Sequence, residues 1–153
     1  MNSEQIKQLG PLATLADIWE GDKGADVAPS DHRGTEQSAF RERITFAPIS
    51  PVHNHEQVLH GLRYITVARR IGETDLFHEE VGYWLWGPGE RQVLHCLIVP
   101  RGVALIAGDT AEPTATSFTL LAKAGSKTYG ICSNRFLDKE FKTVRLRVDR
   151  NRP

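Results

Sequence analysis

Cysteine is scarce: the 153 residues hold only Cys96 and Cys132. Two thiols so far apart exclude a disulfide framework and a Cys-x-x-Cys metal pair. Both read as reduced thiols, with Cys96, inside an apolar run, as a small core residue. Charge of one sign is also lacking. Nineteen Lys and Arg balance nineteen Asp and Glu, so no global field draws nucleic acid or an anionic membrane, and neither partner is expected. Long apolar runs are missing as well. The longest, such as residues 103–107, have strand length and fall far below the roughly 20 residues that span a bilayer. Residues 1–8 are polar and lack the apolar stretch of a secretory signal, so a cytoplasmic location is expected. No Gly-x-Ser-x-Gly elbow and no phosphate loop occurs, which leaves conventional hydrolase or kinase chemistry without support.

What is present is a series of short β-rich runs punctuated by Gly and Pro. The length fits a single domain over residues 1–153, with 1–8 a flexible N-terminus and 150–153 a tail. Strands are predicted at 19–26, 40–46, 57–69, 76–86, 92–99, 103–107, 116–123 and 141–148. Turn residues at 72–74, 87–89, 100–102 and 109–113 join several of them as hairpins. The fold class is therefore all-β, an antiparallel up-and-down barrel of about eight strands. Two short helices are predicted, within 9–16 and near 134–140, the second capped by Ser133 or Asn134. Residues 28–39 read as a mobile loop.

Alternation sharpens the picture. In 141–148, Val144, Leu146 and Val148 share one face, and Thr143, Arg145 and Arg147 the other. In 57–69, Val58, His60, Leu62 and Tyr64 share a face; in 76–86, His78, Glu80, Gly82, Trp84 and Trp86 do. His and Glu beside Trp suit a barrel around a partly polar ligand cavity. The alternative is that the polar groups face water and a Trp covers one barrel end. Glu79 and Glu80 point to opposite faces, as do His95 and Cys96, so neither pair acts as a unit. His53, His55 and His60 bring imidazoles close in sequence, but no carboxylate or thiol completes a metal site, and none is expected.

A set of ordered motifs narrows the fold. Leu9-Gly10-Pro11-Leu12 precedes Ile18-Trp19-Glu20-Gly21-Asp22-Lys23-Gly24; Glu42-Arg43-Ile44-Thr45-Phe46, the run from Phe77 to Trp84, and Asp138-Lys139-Glu140-Phe141 follow. In order and spacing the chain, from about Leu9 to Val148, resembles the nitrobindin family of calycin-like, fatty-acid-binding-protein-like barrels. The resemblance implies a ten-stranded barrel whose apolar pocket holds ferric haem, binds nitric oxide and isomerises peroxynitrite to nitrate. Trp19, Gly21 and Gly24 match its Gly-x-Trp-x-Gly-x-Gly element, although Asp17 replaces the first Gly and Gly24 comes one residue late. Lys139 matches a lysine that the family places near the haem. The family's axial histidine lies near its C-terminus, and no His follows His95 here, which leaves His60, His78 or His95 as substitute ligands.

With eight of ten strands expected, two sheet edges stay open, which predicts a homodimer that shares strands or a flattened barrel. The missing axial donor favours a binding module over an enzyme. Trp19, Tyr64 and Trp84 would contact a small hydrophobic ligand, lipid or haem, and His60 or His78 would orient its polar head. The alternative is a haem isomerase in which Lys139 steadies the oxyanion.

Overall fold

The computed structural model describes residues 3–135 and 140–150. Among them ten strands form one curled sheet: β1 (Ile18–Pro29), β2 (Thr35–Pro48), β3 (Val52–Asn54), β4 (Gln57–Arg70), β5 (His78–Gly87), β6 (Gln92–Val99), β7 (Val103–Thr110), β8 (Ser117–Ala124), β9 (Gly130–Ser133) and β10 (Thr143–Asp149). The spatial order is β1-β2-β4-β5-β6-β7-β9-β8-β10, with β3 added on β4. Every pairing is antiparallel except β8 with β9. The result is an open half-barrel in which β1 and β10 end the order unpaired with each other.

All eight predicted strands are present, and β3 and β9 raise the count to ten. The strand expected to be eighth is tenth. β9 escaped the pattern because four residues show no period, and it also breaks the simple meander. Gly125 (φ 78°) and the Ser126 hydroxyl, which accepts from the Thr128 and Tyr129 amides, fold the chain back tightly. β9 then slips between the ends of β7 and β8. The expected mobile loop at 28–39 is instead most of a hairpin. Its tip closes through Ser30 N–H to Gly34 O at 3.0 Å, and Ser30 Oγ accepts from the Gly34 amide at 3.1 Å. Ser, Asp and Gly gave the loop signal, but they are needed only at the tip. Residues expected to be a flexible start form a short helix, α1 (Ser3–Lys7). The predicted helix near 134–140 falls largely outside the described residues.

A 3-10 helix (Gly10–Leu15) closes one end of the half-barrel, with Leu9, Pro11 and Leu12 buried. Gly10 is required there: its φ is 55°, and a Cβ would lie 2.5 Å from the Trp86 indole nitrogen. Alternate residues of each strand then fill the concave side. Leu62, Tyr64, Thr66 and Ala68 of β4 are buried, as are Trp84 and Trp86 of β5, Val93, His95 and Leu97 of β6, and Phe118, Leu120 and Ala122 of β8. Val144, Leu146 and Val148 pack against this cluster, as the alternation predicts. Each large apolar side chain fully buried there contributes roughly 1.5–3 kcal/mol. Cys96 is not in this core: it is half-buried and lies on the outer face, opposite in sense to His95.

Candidate functional site

The cross-strand register lines up Phe46, Tyr64, Gly82 and Leu97 on the concave face. Gly82 leaves space beside Tyr64, and a side chain there is excluded because a Cβ would lie 1.9 Å from the Cys96 carbonyl oxygen. The Tyr64 hydroxyl and His95 Nε2 lie 2.7 Å apart. Trp84, one position along, stacks on the His95 ring with centroids 4.1 Å apart, and it meets Phe46 and Phe118 edge-on. Burial is the main reason the His95 imidazolium is disfavoured; with the Glu80 charge opposing, its pKa falls to about 4. At neutral pH His95 is an uncharged ring inside an aromatic box. Burial, and then the Glu80 charge, push the Tyr64 hydroxyl far up, so it stays protonated.

The next two positions along the strands are acidic. Thr66 pairs with Glu80, and Ala68 lies between Glu42 and His78. The small Ala68 side chain lets these three polar groups gather. His78 Nε2 is 3.7 Å from a Glu80 carboxylate oxygen. Burial would raise the Glu80 carboxyl, yet the neighbouring His78 imidazole, with smaller contributions from His95 and Tyr64, holds it below its ordinary value. Glu42 goes the other way, raised by burial and then by the Glu80 charge. A chain of polar groups therefore runs along an apolar wall from His95 through Tyr64 and Glu80 to His78.

His78 opens onto a cavity of about 700 Å³ at the end opposite the 3-10 helix, within the roughly 300–1,000 Å³ of small-molecule sites. Arg70, Phe77 and Phe141 also line it, and the β1–β2 hairpin contributes Asp26, Asp31 and Glu36. The Arg70 guanidinium lies 5.1 Å from the centre of the Phe77 ring. Its Nε is buried with no hydrogen-bond partner among the described residues, as is Trp84 Nε1 in the aromatic box. A buried N–H without an acceptor carries a desolvation penalty of about 1–3 kcal/mol, which a bound acceptor would relieve.

The residues singled out from the sequence fall in different places. Tyr64 and Trp84 are central, and His78 lines the cavity. Trp19 pairs with Ile44 on the concave side of β1; it is 51% exposed, with its indole nitrogen donating to the Leu15 carbonyl at 3.0 Å. Gly24 admits the Phe40 ring, which a Cβ would meet at 2.4 Å, whereas nothing lies within 4 Å of a Cβ at Gly21. His60 lies near the start of β4 and Arg70 ends it, so ten residues, about 33 Å at 3.3 Å per residue, separate it from the cavity wall. Burial and then the charge of His53 lower its pKa. His55 sits in a turn at φ 54°. Lys139 lies outside the described residues. Among those residues no three His, Cys, Asp or Glu side chains converge as a metal cluster.

Sequence reasoning missed Glu42 and Arg70. Both lie in phase with Tyr64 and Ala68 on the concave face, a signal legible only once the β2–β4 register is known. The half-barrel, its aromatic lining and the polar inner face agree with the nitrobindin-like resemblance. No curated protein and no solved structure matches the chain significantly. One family model does, over residues 8–150, and it describes a THAP4-like, heme-binding beta-barrel domain. The chain belongs to that family of haem-binding β-barrel domains.

Proposed function

We propose that the open end of the half-barrel binds a small, largely apolar molecule bearing a carboxylate, with haem as the first candidate. The observation that carries this reading is Arg70 on the wall of a cavity of about 700 Å³, its buried Nε unpartnered among the described residues. A ligand carboxylate would accept from its guanidinium, in the charge-assisted geometry that suits it. Phe77 and Phe141 offer faces for a flat apolar body. His78 brings an imidazole to the same cavity.

The cavity and its donors fit a haem-sized molecule. His78 would be the imidazole to meet an iron, since His95 is engaged by Tyr64 and Trp84. Glu80, 3.7 Å from His78 Nε2, would orient the ring, as carboxylates behind ligating histidines do. Bound haem would supply an iron able to take up nitric oxide or act as Lewis acid toward peroxynitrite. The chain's own contribution is to exclude water with the aromatic box and keep His95 neutral. Trp84 Nε1 would offer a donor to a small buried acceptor.

Haemin titration of the purified protein, followed at the Soret band, tests this directly. Saturable one-to-one binding is expected, weakened by His78→Ala and by Arg70→Met and unaffected by His60→Ala. No saturable band, or one lost only with His60→Ala, would refute the placement. In that case competition between fluorescent long-chain carboxylates would decide whether the cavity takes another apolar acid.

A further inference from the structure

The convex face of the sheet carries an exposed apolar strip that runs across the strands. One row of outward side chains spans five of them: Ile65 pairs with Val81, Val81 with Ile98, Ile98 with Ala104 and Ala104 with Cys132. Four strand spacings of about 4.8 Å make this row about 19 Å long. The neighbouring row starts at Arg63 and passes through Tyr83 and Cys96 to Ile106. It lies two residues along the strands, roughly 6.6 Å away. A shallow groove of about 740 Å³ follows the two rows, with the loop at 126–128 as one wall. Tyr129 pins that loop to this face: its ring lies 2.3 Å from where a Gly108 Cβ would be, and its hydroxyl accepts from Gln92 Nε2 at 2.9 Å. Contiguous apolar surface of this kind marks a binding site more often than chance exposure does.

We infer that the groove binds a long-chain aliphatic carboxylate, stretched across the strands with its head at Arg63. Shape and charge select that occupant. Two rows roughly 6.6 Å apart are too narrow for a helix, which is about 10–12 Å across with its side chains, and they suit a single extended chain. Arg63 and Lys127 bring two positive charges to the groove, and among the described residues no Asp or Glu lines it. Neither side chain makes an ion pair or hydrogen bond among the described residues. Glu79, an outward carboxylate of β5, stands four residues from Tyr83, about 13 Å along the strand, too far to neutralise Arg63 by contact. A guanidinium takes both oxygens of a carboxylate through parallel N–H bonds, and the cross-strand neighbour Tyr83 offers a phenolic donor at the same end. The groove has no lining residue in common with the concave cavity around Arg70 and His78, so the two sites are separate.

Cys132, exposed in the groove, is a built-in reporter on the full chain. Its alkylation by iodoacetamide, read by mass spectrometry, is followed against dodecanoate kept below its micellar concentration. Saturable protection is expected, and dodecyltrimethylammonium, the same chain with the opposite charge, should protect roughly tenfold more weakly or less. Arg63→Glu should raise the half-protecting dodecanoate concentration by roughly tenfold or more. Ile98→Glu should abolish protection with an unchanged circular-dichroism spectrum, whereas Arg70→Met and His78→Ala should leave it as in the wild type. Absence of protection would overturn the proposal, as would equal protection by the cation. Protection lost with Arg70→Met but kept with Arg63→Glu would overturn it too, and would put the carboxylate in the concave cavity instead. Should Ile98→Glu fail to fold, Arg63→Glu, at an exposed position, still decides.

Discussion

His95 should make this protein acid-labile well above the pH at which carboxylates titrate. Its pKa is lowered by burial to about 4 in the folded chain, from an ordinary value of 6.5. A group whose folded pKa is depressed contributes stability above its unfolded pKa, and that stability is lost as pH falls toward the folded pKa. The unfolded chain takes up the proton first, so the window runs from about pH 6.5 down to 4. Between pH 7 and pH 5 the linkage relation gives a loss of about 2 kcal/mol from this residue alone. That is a large part of the 5–15 kcal/mol that holds a typical domain. His95 is almost fully buried, so solvent screening does little to reduce the figure. Urea unfolding followed by tryptophan fluorescence at pH 7, 6 and 5 gives the slope. His95→Gln should be less stable at pH 7, by about 1–3 kcal/mol for the lost stacking and hydrogen bond, yet should lose little more on going to pH 5. His60, whose pKa is also lowered, remains in the variant and accounts for any residual slope of the same sign. Equal pH slopes for the wild type and His95→Gln would refute the reasoning. An imidazole signal for His95 titrating near 6.5 by NMR would refute it too.

Tyr64→Phe removes the hydroxyl 2.7 Å from His95 Nε2 and should lower stability by about 1–2 kcal/mol in the same urea assay at pH 7. Glu42 carries a raised pKa, so its contribution is present at low pH and lost as pH rises through the folded value. Glu42→Gln should therefore leave the melting temperature at pH 7 unchanged or higher, and a clear drop would contradict the assigned burial. Gly24→Ala should destabilise by about 1–3 kcal/mol because Phe40 must move, whereas Gly21→Ala, with open space around it, should be silent; equal effects would show that the motif acts through something other than packing. Gly82→Ala sets a methyl against backbone rather than a movable side chain and should prevent soluble expression or cost more than Gly24→Ala.

Period and punctuation found eight of the ten strands, because a half-buried strand must alternate wherever one face is dry. β10 shows the rule at its cleanest, with Val144, Leu146 and Val148 inward and three polar residues outward. The same rule put Leu62 with Tyr64, and His78 and Glu80 with Trp84, on shared faces, while leaving open whether the polar groups turn inward or to water. It could not say which of them meet. That depends on register, and only the pairing of Tyr64 with Gly82 and of Trp84 with His95 brings a phenol and an imidazole into contact. Arg70 illustrates the limit. It is one of two adjacent arginines at a strand end, a position where solvated charge is the ordinary expectation. Only the concave phase of β4 and the curl of the sheet carry its guanidinium inward over Phe77. The outer face shows the converse. Isoleucines at 65, 98 and 106 look like core in sequence, yet they are 48, 59 and 43% exposed on the outer face. Both faces of this sheet are apolar at its middle strands, so one layer of structure leaves one face uncovered.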